Sequence, residues 1–141
     1  MDTKRTVRNT ATVDDSKDRA LTREMIDRIG DKWTLLIIAA LGERDHMRFT
    51  ELRDGIVGIS QKMLTKTLRQ LERDGLLNRK VYPVVPPRVE YRLTPLGHSL
   101  LALVSGICSW VSAHLPEIED ARQAFDPGSN VAARIFWRQQ I

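Results

Sequence analysis

Gly58-Ile-Ser-Gln-Lys-Met-Leu-Thr-Lys-Thr-Leu-Arg-Gln-Leu-Glu-Arg-Asp-Gly-Leu-Leu77 is the stretch whose reading decides the fold. Ser60 suits the N-cap of a helix running to about Asp74, and Gly75 suits its stop. Leu64, Leu68 and Leu71 recur at helical spacing and form an inward stripe, flanked by Met63 and Thr67. By the same period Gln61, Lys62, Thr65, Lys66, Arg69 and Arg73 fall on the opposite side. No acidic residue interrupts that cationic face before Glu72, whereas an ordinary solvated helix mixes signs.

Downstream, Leu77–Tyr82 and Val89–Leu93 are β-prone segments separated by Pro83-Val-Val-Pro-Pro-Arg88. Three prolines in those six residues block regular pairing and predict a two-stranded wing with a stiff tip. Upstream, Arg48-Phe-Thr-Glu-Leu-Arg53 reads as a short strand leading into a short helix, with Phe49, Leu52 and Ile56 facing inward. Gly55 and Gly58 then permit the tight connection of a helix-turn-helix.

Leu21, Met25, Ile26 and Ile29 predict an earlier helix that stops at Gly30. Asp31 caps the next, whose body Leu35-Leu-Ile-Ile-Ala-Ala-Leu41 is apolar nearly all round and belongs in the middle of the core, with Trp33 as a packing residue. Thr94-Pro95 marks another helix start, reaching about Leu115. It carries Leu96, Leu100, Leu103, Ile107 and Val111 on one stripe, with Leu101, Val104, Cys108 and Leu115 beside it. A domain of this size has little core to cover both, so the excess predicts a second subunit. Leu21, Met25, Leu100, Leu103, Ile107 and Val111 are the expected dimer contacts. Ser99, Ala102, Gly106, Ser109 and Ala113 form a stripe of small residues that suits close approach of another helix, internal or from a second copy. After Pro116 a separate polar helix, Glu117 to Phe125, is expected.

The expected fold is therefore mainly α with a small β-wing, a winged helix-turn-helix with additional N- and C-terminal dimerisation helices. The expected organisation is a flexible arm over 1–17, the domain over 18–125 and a tail over 126–141. Lys4, Arg5 and Arg8 of the arm could touch DNA, but the preferred reading of that segment is a plain disordered tail; Ile135, Phe136 and Trp137 of the tail carry no assignment.

Charge supports a polyanionic partner through its placement. The net charge is only +4, but residues 44–92 hold eleven Lys/Arg against six Asp/Glu. Reading DNA requires phosphate contacts that position the protein and polar side chains that discriminate base edges. The first turns of a groove-entering helix lie deepest, and here they hold Ser60, Gln61, Lys62, Thr65 and Lys66, with Arg69 one turn later. Gln pairs with adenine, Lys or Arg with guanine, and Thr touches the thymine methyl. Arg79 and Lys80 on the first wing strand, with Arg88 at its tip, suit phosphates or a narrow minor groove. Arg48, Arg53 and Arg73 are further candidates for backbone contacts, and Arg92 alternates differently along its strand.

Other function classes find little support. His46, His98 and His114 lack metal-ligand spacing, and the sequence holds no phosphate-cradling glycine loop or recognisable nucleophile motif, so no catalytic residue, metal or cofactor is expected. The alternative readings are a winged-helix module that binds protein rather than DNA, and an enzyme. The single cysteine excludes an internal disulfide and suits a reducing compartment. The opening Met1-Asp-Thr-Lys-Arg-Thr-Val-Arg8 is polar and predicts no signal peptide. The apolar run Trp33–Leu41 is far short of the roughly 20 residues a membrane span needs. A cytoplasmic location is expected.

Six ordered motifs resemble a known family: Asp27-Arg-Ile-Gly-Asp-Lys-Trp33, Arg48-Phe-Thr-Glu-Leu52, Gly58-Ile-Ser-Gln-Lys-Met-Leu-Thr65, Leu71-Glu-Arg-Asp-Gly-Leu76, Tyr82-Pro-Val-Val-Pro-Pro-Arg-Val-Glu-Tyr91 and Leu93-Thr-Pro-Leu-Gly97. They are similar to the bacterial HxlR-type regulators, within the wider MarR-like winged-helix group, over about residues 19–125. The resemblance implies a homodimeric transcription factor joined through its terminal helices and binding an inverted repeat of double-stranded DNA. A small-molecule effector of unknown identity is the remaining candidate partner. Several members of the family sense electrophiles or oxidants with a cysteine just before the first core helix. This chain has Asp18-Arg-Ala-Leu21 there, and its lone thiol, Cys108, reads as a core residue of the dimer helix. A disulfide between subunits through Cys108 requires a two-fold axis that brings both copies together.

Overall fold

The centre of the molecule is the apolar helix that follows Asp31. In the computed structural model, which describes residues 15–126, α1 (Asp15–Gly30) leads into this helix, α2 (Lys32–Gly42). The Asp31 carboxylate accepts from the backbone N–H groups of Trp33 at 2.9 Å and Thr34 at 3.2 Å. A cap of this kind contributes about 1 kcal/mol. Ile37, Ile38 and Leu41 are fully buried, and α1, α3, α4, α5 and β3 gather round them.

The remaining elements are β1 (Met47–Arg48), α3 (Phe49–Gly55), α4 (Gln61–Arg73), β2 (Leu77–Tyr82), β3 (Arg88–Leu93) and α5 (Pro95–Phe125). The sheet is antiparallel with order β1-β3-β2, so the expected two-stranded wing gains a third strand from β1. Met47 pairs with Tyr91 and Arg48 with Glu90. A two-residue strand has too little sequence to announce its partner, and only the folded register decides it.

The ends of α4 follow from its sequence. The Ser60 hydroxyl accepts from Met63 N at 3.0 Å. Gly75 closes the helix at φ +76°, with its own N–H and that of Leu76 bonded to the Glu72 and Leu71 carbonyls. Thr94 Oγ1 then donates to the Gly75 carbonyl at 2.6 Å while accepting from Gly97 N at 3.1 Å, which fastens the start of α5 to the end of α4. A Cβ at Gly97 would collide with the Leu76 carbonyl oxygen, so that close approach requires glycine.

Three expectations about the helices are corrected. α1 begins at Asp15, inside the segment expected to be an arm; residues 16–19 are polar and exposed, so no apolar period marks this start. The separate helix after Pro116 does not exist: α5 is continuous through Pro116 over 31 residues. Proline keeps a helical φ and costs the helix one hydrogen bond, which the strong helix formers on either side outweigh. Leu100, expected at a dimer contact, is 6% exposed and lies in the chain's own core with Val104. The inward side of α5 packs on α2 and β3, so the two apolar stripes divide there.

By length and mean hydropathy alone α5 meets the requirement for a membrane span, which the run Trp33–Leu41 did not suggest. Gly97, Leu100 and Val104 are nevertheless buried in the domain, which makes the first half of α5 a core helix with one uncovered side. This architecture, a helix-turn-helix of α3 and α4 followed by a β-hairpin, is a winged helix-turn-helix. The expected contributions of Lys4, Arg5 and Arg8, and of Ile135, Phe136 and Trp137, lie outside the described residues.

Candidate nucleic-acid interface

The turn between α3 and α4 passes through Gly58 at φ +84°, a conformation that side chains with a Cβ rarely adopt. α4 then lays its stripe into the core: Leu64, Leu68 and Leu71 are at most 1% exposed, and Thr67 is buried with its hydroxyl donating to the Met63 carbonyl at 2.8 Å. The period that buries those residues exposes Gln61, Lys62, Thr65, Lys66, Arg69 and Arg73. Ser60 is exposed too; its oxygen accepts the cap bond, and its hydroxyl proton and second lone pair remain available outward. Among the described residues, none of Lys62, Lys66, Arg69 and Arg73 forms an ion pair with a carboxylate.

α4 is braced from behind. Arg28 of α1 donates through Nε to Asp74 Oδ2 at 2.9 Å, with both side chains largely buried. A guanidinium at this end of α4 also complements the helix dipole. Sequence reasoning missed this tie, because the partners are 46 residues apart.

The wing separates three arginines and lysines that the sequence grouped together. Arg79 pairs with Tyr91, Lys80 with Glu90 and Tyr82 with Arg88 across β2 and β3. Successive strand residues point to opposite faces, so Arg79 and Tyr91 share one face while Lys80, Tyr82, Arg88 and Glu90 share the other. On the second face Lys80 Nζ lies 4.8 Å and the Arg88 guanidinium 4.3 Å from the Tyr82 ring centroid. Arg88 Nε is also 3.3 Å from the buried Glu90 carboxylate, without the angle of a hydrogen bond. His46 Nε2 approaches the same carboxylate at 3.6 Å. Arg88, expected as a cation at the wing tip, is thus turned back onto the sheet.

The first face meets α4. A cleft of about 540 Å³ opens between them, lined by Thr65, Arg69, Glu72, Arg73, Arg79 and Tyr91 among others. Burial pushes the Tyr91 phenol above its usual value; the neighbouring Arg79 guanidinium offsets part of that rise, Glu72 adds to it and Arg69 lowers it. Tyr91 and the cleft escaped the sequence reading, since a strand tyrosine signals packing and only register sets it against Arg79.

The remaining candidates lie at the margins. Arg48 is exposed, and its backbone N–H donates to Glu51 at 3.3 Å. Arg53 is in an exposed pair with Asp54 at 3.4 Å, and Arg92 approaches Asp45 at 3.5 Å. Exposed pairs of this kind hold little energy.

The expected dimer residues also sort themselves. Leu103 is 67% exposed, and Leu21 and Ile107 are exposed as well. Val111 is half-buried, while Met25 packs against the core. Leu96, Trp110 and, on α1, Ile26 are exposed apolar residues outside that expected set. Trp110 stacks on His114 with ring centroids 4.7 Å apart. Cys108 is a free, half-buried thiol packed against the core.

Comparison with known proteins agrees with this geometry. A family model described as HxlR-like helix-turn-helix matches residues 28–119. The HTH-type transcriptional regulator YtfH of Escherichia coli (strain K12) is 47% identical over 97 residues, 69% of this chain and 76% of that protein. Among solved structures, the transcriptional regulator ytfH from Salmonella typhimurium is 42% identical with a TM-score of 0.69, covering 72% of this chain and 90% of that one. The redox regulator HypR in its reduced form is 36% identical with a TM-score of 0.65, covering 71% and 98%.

Proposed function

The chain belongs to the HxlR-like helix-turn-helix family and is a transcriptional regulator of the helix-turn-helix type; from that premise we propose that it is a homodimer that binds an inverted-repeat DNA operator in sequence-specific fashion. The observation that carries this reading is the outward face of α4, which is exposed, cationic and without ion pairs among the described residues. Gln61, Lys62, Thr65 and Lys66 occupy the first turns and are assigned to base edges in the major groove. Arg69, Arg73 and Arg79 are assigned to phosphates beside that groove, with Ser60, Arg48, Arg53, Lys80 and Arg88 as flanking contacts.

Dimerisation is assigned to the uncovered side of α5, where Leu96, Leu103, Ile107 and Trp110 are exposed. Leu21 and Ile26 of α1 are further exposed apolar residues assigned to the same interface. A single chain gains nothing by presenting so much apolar surface to water, and a second copy related by a two-fold axis removes it. Two copies of α4 related in this way match half-sites about one helical turn, ~34 Å, apart. A regulator of transcription acts where the DNA is, which supports a cytoplasmic location. Catalysis plays no part in this proposal.

The test is selection of genomic fragments by the purified full chain, followed by sedimentation. The expected result is one enriched inverted repeat and a dimer at micromolar concentration. Gln61→Ala is expected to change preference at one position of each half-site by about 1–3 kcal/mol. A monomer in sedimentation, or no enriched sequence, overturns the proposal.

A further inference from the structure

Three guanidinium groups converge on the cleft between α4 and the wing. Arg69 and Arg73 stand one turn apart on α4, and Arg79 faces them from β2. Like charges at that helical spacing repel. Among the described residues no carboxylate forms an ion pair with any of the three, and Glu72 is the one acidic side chain in the lining. Glu72 and the carboxyl end of α4 both oppose an anion, and the three guanidiniums outnumber the one carboxylate in the lining.

The inner wall adds a neutral donor. Tyr91 is 8% exposed, and Arg79 is its cross-strand partner on the same face, both lining the cleft. A guanidinium only donates, so Arg79 beside Tyr91 does not compete for the phenol proton, which stays available to an acceptor in the cleft. A buried phenol also stays protonated, which keeps it a donor rather than a competing anion. Thr65 at the lip belongs both to the cleft and to the outward face of α4, so the cavity is continuous with the proposed DNA surface. Forked guanidiniums and hydroxyl donors around an open cleft are the chemistry that recognises a phosphate.

We propose that this cleft is a seat for one phosphate group, held by Arg69, Arg73, Arg79 and the Tyr91 hydroxyl, and that in the bound state the group is a phosphate of the DNA backbone. The inference rests on the reading of α4 as the DNA-facing helix and extends it to a site built jointly by helix and wing. A free phosphate is the other source of the same chemistry. The seat locks the wing to the recognition helix at one point of the backbone, which sets the depth of α4 in the groove without reading any base.

The experiment compares the full chain with its Arg73→Gln and Tyr91→Phe variants, each first shown by thermal melting and sedimentation to keep fold and assembly. On the selected duplex and on an unrelated one, Arg73→Gln is expected to weaken binding about threefold to tenfold alike and to lower the salt slope by about one. Tyr91→Phe is expected to weaken both by roughly threefold without changing the slope, because it removes a neutral donor. Ethylation of one phosphate per half-site is expected to impair the wild type and to leave Arg73→Gln no worse. Unchanged affinities, or the same ethylation pattern in variant and wild type, overturn the DNA phosphate as occupant.

Titration of inorganic phosphate at constant ionic strength, read at the backbone amides of Arg73, Arg79 and Tyr91, tests the free source. Saturable shifts that vanish in Arg79→Gln keep the seat and give it to free phosphate where the DNA arm is null. No shift together with a null DNA arm overturns the proposal entirely. If the wild type binds no genomic fragment, the regulator reading fails by itself, and the amide titration still decides whether the seat exists.

Discussion

α4 and α5 bury the same kind of stripe and show water opposite faces. Leu64, Leu68 and Leu71 of α4 are as deeply buried as Val104 of α5. Outward, α4 presents Gln61, Lys62, Thr65, Lys66 and Arg69, whereas α5 presents Leu103, Ile107 and Trp110. The inner faces obey the same packing rule and say only that both helices belong to one core. Under the proposed function the outer faces differ because each meets a different partner: a cationic, hydrated surface suits a polyanion, and an apolar one suits a second protein surface.

The most severe way to break this contrast is to charge the outer face of α5. Leu103→Asp with Ile107→Asp is expected to convert the dimer to a monomer by sedimentation. Operator affinity then falls by about a hundredfold or more, since two linked half-sites become one. If the doubly charged variant remains a dimer, the assembly uses another surface.

The next change strips α4 while leaving α5 intact. Lys62→Ala with Lys66→Ala is expected to weaken operator binding by roughly tenfold to a hundredfold, and any phosphate contact the two lysines make is lost from the salt slope at about one unit each. Sedimentation should be unaffected, which separates the two faces.

Gly106 sharpens the α5 side, for it lies between Leu103 and Ile107 and a Cβ there meets nothing within 4 Å in the single chain. Gly106→Ala is expected to stabilise the charged monomeric variant by about 0.5–1 kcal/mol through helix propensity. In the proposed dimer the same methyl group is expected to meet the second copy and to cost about 1–3 kcal/mol. Thermal melting of both backgrounds reads the sign, and the same sign in both would place the partner elsewhere.

The smallest effect concerns the wall behind α4. The Tyr91 phenol is raised above its usual value by burial, so the folded state favours the protonated form. The corresponding stability is fully present below about pH 10, the unfolded value, and is lost as pH rises through the folded one. Denaturant titrations at rising alkaline pH should show Tyr91→Phe losing less stability than the wild type.

Much of this fold is written locally. The caps at Asp31, Ser60 and Thr94, the stop at Gly75 and the stripe of α4 are each specified within one or two turns of helix, and each stands where the sequence placed it. The breaks come where a local signal competes with distant packing. Pro116 reads as a terminus, yet α5 runs through it, because the flanking turns hold the helix together. Leu100 and Leu103 look equivalent in sequence, and only the docking of α5 on α2 and β3 sends one inward and the other outward.

The candidate site divides along the same line. Periodicity alone determined that Gln61, Lys62, Thr65, Lys66, Arg69 and Arg73 form one outward cationic face, because a helix of known phase fixes which side each residue takes. Tertiary structure alone decided that Arg79 joins Tyr91 and α4 while Lys80 and Arg88 turn to the other side, and that Arg28 reaches Asp74. Those pairings depend on strand register and helix docking between residues far apart in the chain, and no short-range pattern contains them.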